Sequence, residues 1–312
     1  MSISKEIERL QQAKKDIGDA IVRKGGSVSG TIDTYAKSVM ALGDVSFRTA
    51  IDIVNKSDAK NVDLTMISPK NETSLRELFY KNTNLIHIDA SNWDTSKVTS
   101  LRSMFGDCTA LETVECADWD VSKVTDFYAL FDACTNLKTI DVSKWNTSSA
   151  IIMGWMFNRN NLTHLDVSNF NTSKVTYMFA MFSGCKSLTQ LDISNFDTSN
   201  VLDFGRVFAY FGVCEELNIS GLNLSNVTSI NNTFLGSNFK VIRCDGLRFP
   251  DIDMSKIGLH YSTELTVDSI VGLLNALPQS DKGYSFQIGS NNIAKLSDEQ
   301  KAIATDKGWT LI

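Results

Sequence analysis

Apolar positions along this chain fall into a line that recurs. Leu-Thr-His-Leu-Asp-Val-Ser-Asn-Phe-Asn-Thr-Ser-Lys-Val (162–175) returns as Leu-Thr-Gln-Leu-Asp-Ile-Ser-Asn-Phe-Asp-Thr-Ser-Asn-Val (188–201). One phenylalanine marks each copy: Phe79, Phe105, Phe131, Phe157, Phe182, Phe208 and Phe234, at steps of 26, 26, 26, 25, 26 and 26 residues. A fixed period of this size predicts a stacked solenoid, because one short coil cannot bury its apolar side unless a neighbour covers it.

Within a copy, an aliphatic anchor (Ile88, Val114, Ile140, Leu165, Leu191, Leu217) sits in a short alternating stretch that predicts a strand with the anchor inward. An aromatic column follows: Trp93, Trp119, Trp145, Phe170, Phe196, closed by Leu222. Next comes Asp/Asn-Thr-Ser, whose side chains suit a turn. Thr99, Thr125, Thr176 and Thr228 then precede an apolar run ending at the phenylalanine, which predicts an N-cap and a short helix. The expected fold is thus an α/β repeat, one short strand and one short helix per coil, right-handed over about residues 60–250, with strands stacked ~4.8 Å apart. The 25-residue step lies in Asn158-Arg159-Asn160-Asn161, where one turn is a residue short. The inward columns should stay in phase on both sides of it.

The ends depart from the period. Ile3, Ile7, Leu10, Ile17 and Ile21 form one helical stripe before Gly25-Gly26, and a second short helix is expected over 33–42. A stripe this short needs a partner to be stable, so residues 1–45 are read as a docking or oligomerisation segment. Residues 46–255 are read as the solenoid and 256–312 as a C-terminal cap. The cap should contain a helix over 266–277 ended by Pro278, a strand over 284–288, and a capping box at Ser297-Asp298-Glu299-Gln300 opening a helix that stops near Gly308.

The strand line Leu-Asp-Val-Ser-Asn-Phe (165–170), the Asp-Thr-Ser-x-Val turn (94–98, 197–201) and the Met-Phe-x-x-Cys segment (104–108, 181–185) resemble the BspA-type leucine-rich repeats of bacterial surface proteins and phage proteins. Residues 7–42 are similar to N-terminal modules of phage tail and baseplate-type proteins. Residues 296–309 are similar to C-terminal caps of phage and prophage structural proteins. The resemblance implies a leucine-rich-repeat solenoid and a virion structural protein, a tail or fibre-like component. Its N-terminus would join it to other virion proteins or to further copies of itself. Its coils would meet a host surface protein or glycan. The alternative is a BspA-type adhesin on a bacterial cell surface.

Composition narrows these choices. A net charge of −6 argues against nucleic-acid binding. No apolar run approaches a membrane span, and the first residues carry no apolar core of a secretory signal, so folding in a cytoplasm with reduced cysteines is expected. The acidic column Asp89, Glu115, Asp141, Asp166, Asp192, Asn218 could hold a cation, but its recurrence in every coil favours local capping of backbone N–H groups. His87 and His164 share a column three coils apart, too far for one metal. No nucleophile–base pair and no phosphate loop stands out, so no catalytic residue, metal or cofactor is expected. The aromatics that break the period, Tyr128, Trp155, Tyr177, Phe179, Phe204 and Tyr210, are the candidates for surface contact.

Overall fold

The computed structural model describes residues 46–312, so the Ile3, Ile7, Leu10, Ile17, Ile21 stripe and the helix expected over 33–42 lie outside the described residues. The chain from 46 onward is a parallel β-solenoid. The anchor columns stack as the period requires. Strands β1 (Asn61–Asp63), β2 (His87–Asp89) and β3 (Thr113–Glu115) pair in parallel, with Val62 opposite Ile88 and Ile88 opposite Val114. Strands β4 (Gln190–Asp192), β5 (Val213–Asn218) and β6 (Asn238–Arg243) form a second such sheet, with Leu191 opposite Leu217 and Leu217 opposite Ile242. Between the sheets, the coils of Ile140 and Leu165 run alongside without a strand ladder, and Ile140 is only half-buried. The gap in the sheet falls at the coil that is one residue short.

The helix expected in each coil is absent. In its place, residues 75–81 and their equivalents form a run of tight turns with a left-handed residue two before and two after each phenylalanine. Glu77 and Lys81, Ser103 and Asp107, Ala129 and Ala133, Trp155 and Arg159 all have φ between +51° and +62°. The hydrogen bonds show why. Leu101, Ser103, Phe105 and Asp107 donate their N–H groups to the carbonyls of Asp126, Tyr128, Leu130 and Asp132 on the next coil, at 2.8–3.0 Å. The alternate N–H groups of Met104, Gly106 and Cys108 close turns on Leu101, Ser103 and Phe105. An α-helix would use all these groups internally and leave nothing for the neighbouring coil. The threonines are therefore not N-caps: the Thr99, Thr125, Thr176 and Thr228 hydroxyls donate to Thr73, Thr99, Ile151 and Leu202 carbonyls of the preceding coil.

The ladder crosses the short coil intact. Bonds that elsewhere join a residue to the one 25 further on join Trp155 to Phe179 and Phe157 to Met181 there. Inward, the phenylalanine column stacks with ring centroids 5.4–6.3 Å apart from Phe79 to Phe234. The Trp93, Trp119 and Trp145 rings stack beside it, and each indole N–H donates to a carbonyl 29 residues back, on Leu64, Ala90 and Cys116. One apolar core runs from Ile51 to Trp309.

Both ends of the core are covered. Helix α1 (Phe47–Asn55), N-capped by Ser46, buries Ala50, Ile51 and Val54 against the first coil and sets Phe47 edge-on to Trp93. The sequence pattern counts these residues with the solenoid. They are a cap, as a solenoid's first coil requires. At the other end, α2 (Val267–Asn275) packs on β6, and β7 (Ser285–Phe286) pairs in parallel with β8 (Thr310–Leu311). The short helix α3 (Ser290–Ile293) precedes α4 (Asp298–Thr305), which opens on the reciprocal Ser297–Gln300 capping box. Gly308, at φ +81°, ends that helical turn.

The left-handed turns carry a sign that separates them from a helix. Ser103→Gly should stabilise the chain by up to ~1 kcal/mol and Ser103→Val should destabilise it by about 1–2 kcal/mol, because φ near +51° suits glycine and strains a β-branched residue. In a helix the glycine variant would be the less stable by ~1 kcal/mol. Urea unfolding of the two variants decides between them.

Candidate functional site

The repeated polar residues build the coil. Asp89, Asp141, Asp166 and Asp192 each accept the backbone N–H of the serine two residues on, at 2.9–3.1 Å. The Asp/Asn-Thr-Ser turn divides its work. Asp94, Asp120, Asn146, Asn171, Asp197 and Asn223 cap the N–H of the following serine. The buried Thr95, Thr147, Thr172 and Thr198 hydroxyls donate to a carbonyl of the next coil. Hydrogen bonds from the serine hydroxyl and then the serine N–H hold Asp94, Asp120 and Asp197 below the ordinary carboxylate value. These carboxylates are committed to capping.

The six cysteines are free and buried. Cys108, Cys134 and Cys185 donate their thiols to the carbonyls of Phe79, Phe105 and Phe157 at 3.0–3.1 Å, and Ser237 makes the same bond to Phe208. Burial pushes the Cys108 thiol up to about 12, so this column is a set of donors and not of nucleophiles. His87 bonds the Thr113 hydroxyl of the next coil. Among the described residues, no group of three His, Cys, Asp or Glu side chains could hold a metal ion, and no helix is long and apolar enough to cross a membrane.

The aromatics that break the period behave differently. Phe204, expected at the surface, is 1% exposed and packs edge-on to Phe208 at 5.8 Å. It occupies the inward column of Leu75, Leu101, Phe127, Met153, Met178 and Ile230, all buried. Tyr128, Tyr177, Phe179 and Trp155 instead form one outward row. Tyr128 and Tyr177 stack at 6.4 Å, Tyr177 and Phe179 at 6.3 Å, and Phe179 meets Trp155 at 5.6 Å. Arg102 lies 4.0 Å from the Tyr128 centroid at one end, and Arg206 lies 6.0 Å from the centroid of Phe179, next to the other.

Tyr128 and Tyr177 belong to coils two apart. They meet because the coil between has glycine at that place: a β-carbon on Gly154 would come within 2.4 Å of the Tyr177 ring. Tyr210 is 48% exposed and stands further along the same side, its ring over Gly236. Sequence reasoning found the rings and missed Arg102, Gly154 and Arg206. The column Arg76, Arg102, Tyr128, Gly154, Phe179, Gly205, Asn231, once aligned by period, holds the signal for the first two.

The family model described as "Mycoplasma protein of unknown function, DUF285" matches residues 49–164 and 128–241. No curated protein matches the chain in sequence. Among solved structures, a leucine rich cell surface protein from Faecalibacterium prausnitzii A2-165 is 16% identical, over 75% of this chain and 68% of that one, at a TM-score of 0.30. A leucine-rich repeat protein from Bacteroides ovatus ATCC 8483 is 10% identical over 69% of each chain, at a TM-score of 0.26.

The capping carboxylates predict an acid response. A carboxylate whose folded pKa is depressed stabilises the fold above its unfolded pKa and loses that contribution as pH falls through the folded value. Replacing Asp94, Asp120 and Asp197 together by Asn, the residue found in the sister coils at 146, 171 and 223, keeps the cap and removes the proton. The triple variant should match the parent near neutrality and lose less stability between about pH 5 and pH 3. Thermal melts across that range measure it; identical slopes would contradict it.

Proposed function

Because the chain belongs to the DUF285 family, whose description assigns no activity, we propose from geometry that it is a non-enzymatic contact scaffold working through the aromatic row on one flank of its solenoid. One observation carries this reading. The inward columns are consumed by the core, and the repeated polar groups by caps within a coil and bonds between coils. The row Tyr128–Tyr177–Phe179–Trp155, ended by Arg102 and Arg206, breaks the repeat and stays partly open. Aromatic and arginine side chains are the ones that carry binding energy at protein surfaces. Labelled full-length chain should adhere to target cells, and Tyr128→Ala with Tyr177→Ala should weaken adhesion ~10-fold or more with the melting temperature little changed. Equal adhesion by the variant on bacterial and cultured animal cells alike would refute the use of this flank.

The resemblances of the two ends support a virion tail or fibre component, and the repeats equally suit a protein displayed on a cell surface. Immunodetection in purified virions or on intact cells separates the two. Attachment we assign to residues 1–45, to other virion proteins or to a second copy of the chain. Ile7→Asp with Ile17→Asp should abolish self-association in sedimentation, or incorporation into the particle, while the solenoid unfolds as before. Normal assembly of a chain beginning at residue 46 would move that role onto the coils.

A further inference from the structure

The one short coil leaves a mark on the surface beside the aromatic row. Flanking coils place a turn, Thr135-Asn136 or Lys186-Ser187, just after the cysteine column, and the missing residue removes that turn after Asn160. The wall recedes there, and a half-open cleft of about 660 Å³ lies between the neighbouring turns. Its size is that of a small-ligand site. Trp155 and Tyr210 are among the residues that line it.

Its electrostatics run against the rest of the chain. The net charge is −6, yet the twelve lining residues include Arg159, Lys186 and Arg206 and no carboxylate. Arg159 is partly neutralised by Asp132, at 3.2 Å. Lys186 and Arg206 have no acidic partner among the described residues; Arg206 has only the face of Phe179. Asn160 stands where the flanking coils have a cysteine. It is 3% exposed, and its Nδ2 donor is buried with no acceptor. A buried donor left unpaired is costly, and an oxygen acceptor that reached it would recover that cost.

We propose that this cleft binds an acidic saccharide unit, its ring against Trp155 and Tyr210 and its anionic group on Lys186 and Arg206. A sugar is favoured over an acidic peptide by the state of the backbone. A peptide in extended form binds by pairing with open N–H and C=O groups. Here the N–H groups of Trp155, Arg159, Gly184 and Tyr210 are already bonded to Phe179, Ser183, Ala209 and Leu235. What remains is aromatic faces, side-chain amides and hydroxyls, and two free cations. These match the C–H face, the hydroxyls and the charge of an acidic sugar. Carboxylate and sulfate esters share this chemistry. The proposal rests on the reading of this flank as a contact surface and names what it contacts.

Calorimetry on the full chain tests it with four probes: sialyllactose for a carboxylate, a heparin disaccharide for sulfate, lactose as the neutral control, and hexaglutamate for charge alone. At least one acidic saccharide should bind saturably, more weakly as salt rises, with no binding of lactose. Lys186→Gln with Arg206→Gln, both exposed positions, should weaken that binding ~10-fold or more. The proposal is overturned if neither acidic saccharide binds, if the Lys186/Arg206 variant binds as the parent does, or if hexaglutamate binds as well as the sugars. A chain that adheres to cells through Tyr128 and Tyr177 but ignores both acidic saccharides would lose this site and keep the broader reading.

Discussion

Every coil of this molecule passes its spare backbone N–H groups to a carbonyl one coil away, and the rest of the structure depends on that transfer. A coil of about 26 residues is too small to satisfy its own backbone except by turns. Alternate N–H groups close those turns and the others bond onward, as Leu101, Ser103, Phe105 and Asp107 do. The geometry requires left-handed residues at fixed places, most of them not glycine. Their strain is tolerated because a bonded neighbour lies on each side. Identical positions then lie over one another, and the phenylalanine and tryptophan rings have to stack.

That constraint also sorts the side chains by use. A residue type that recurs in every coil serves the stack. The Asp/Asn-Thr-Ser turn caps its own serine and bonds the next coil, and the cysteine column donates to carbonyls. Freedom exists only where the repeat is broken outward. Gly154 allows two tyrosines from separate coils to meet, and the shortened turn at Asn160 opens a cleft beside them. Both departures lie on one flank, within the same few coils.

Much of the solenoid was legible in the chain because its strand columns are strictly periodic. Ile88, Val114, Leu165, Leu191 and Leu217 are buried as the alternation requires. The helix was misread for a physical reason. Leu101, Met104, Phe105 and Cys108 are spaced as on one face of a helix, and a run of tight turns with alternating inward residues gives the same spacing. Spacing alone does not say where N–H groups go. Phe204 was misplaced although its column of Leu101, Phe127 and Met153 is apolar throughout. The aromatic row was legible as a set of exceptions. Its closure was not, since that depends on which rings a glycine lets lean across a coil.

Amide hydrogen exchange, resolved by residue, bears most directly on the transfer of bonds between coils. Ser103, Phe105 and Asp107 should exchange as slowly as His87 and Thr113 in the strands, and the same alternate positions should be protected in each interior coil. Rapid exchange through residues 101–108, with protection confined to the strands, would show that these segments do not carry the stack and would contradict the account.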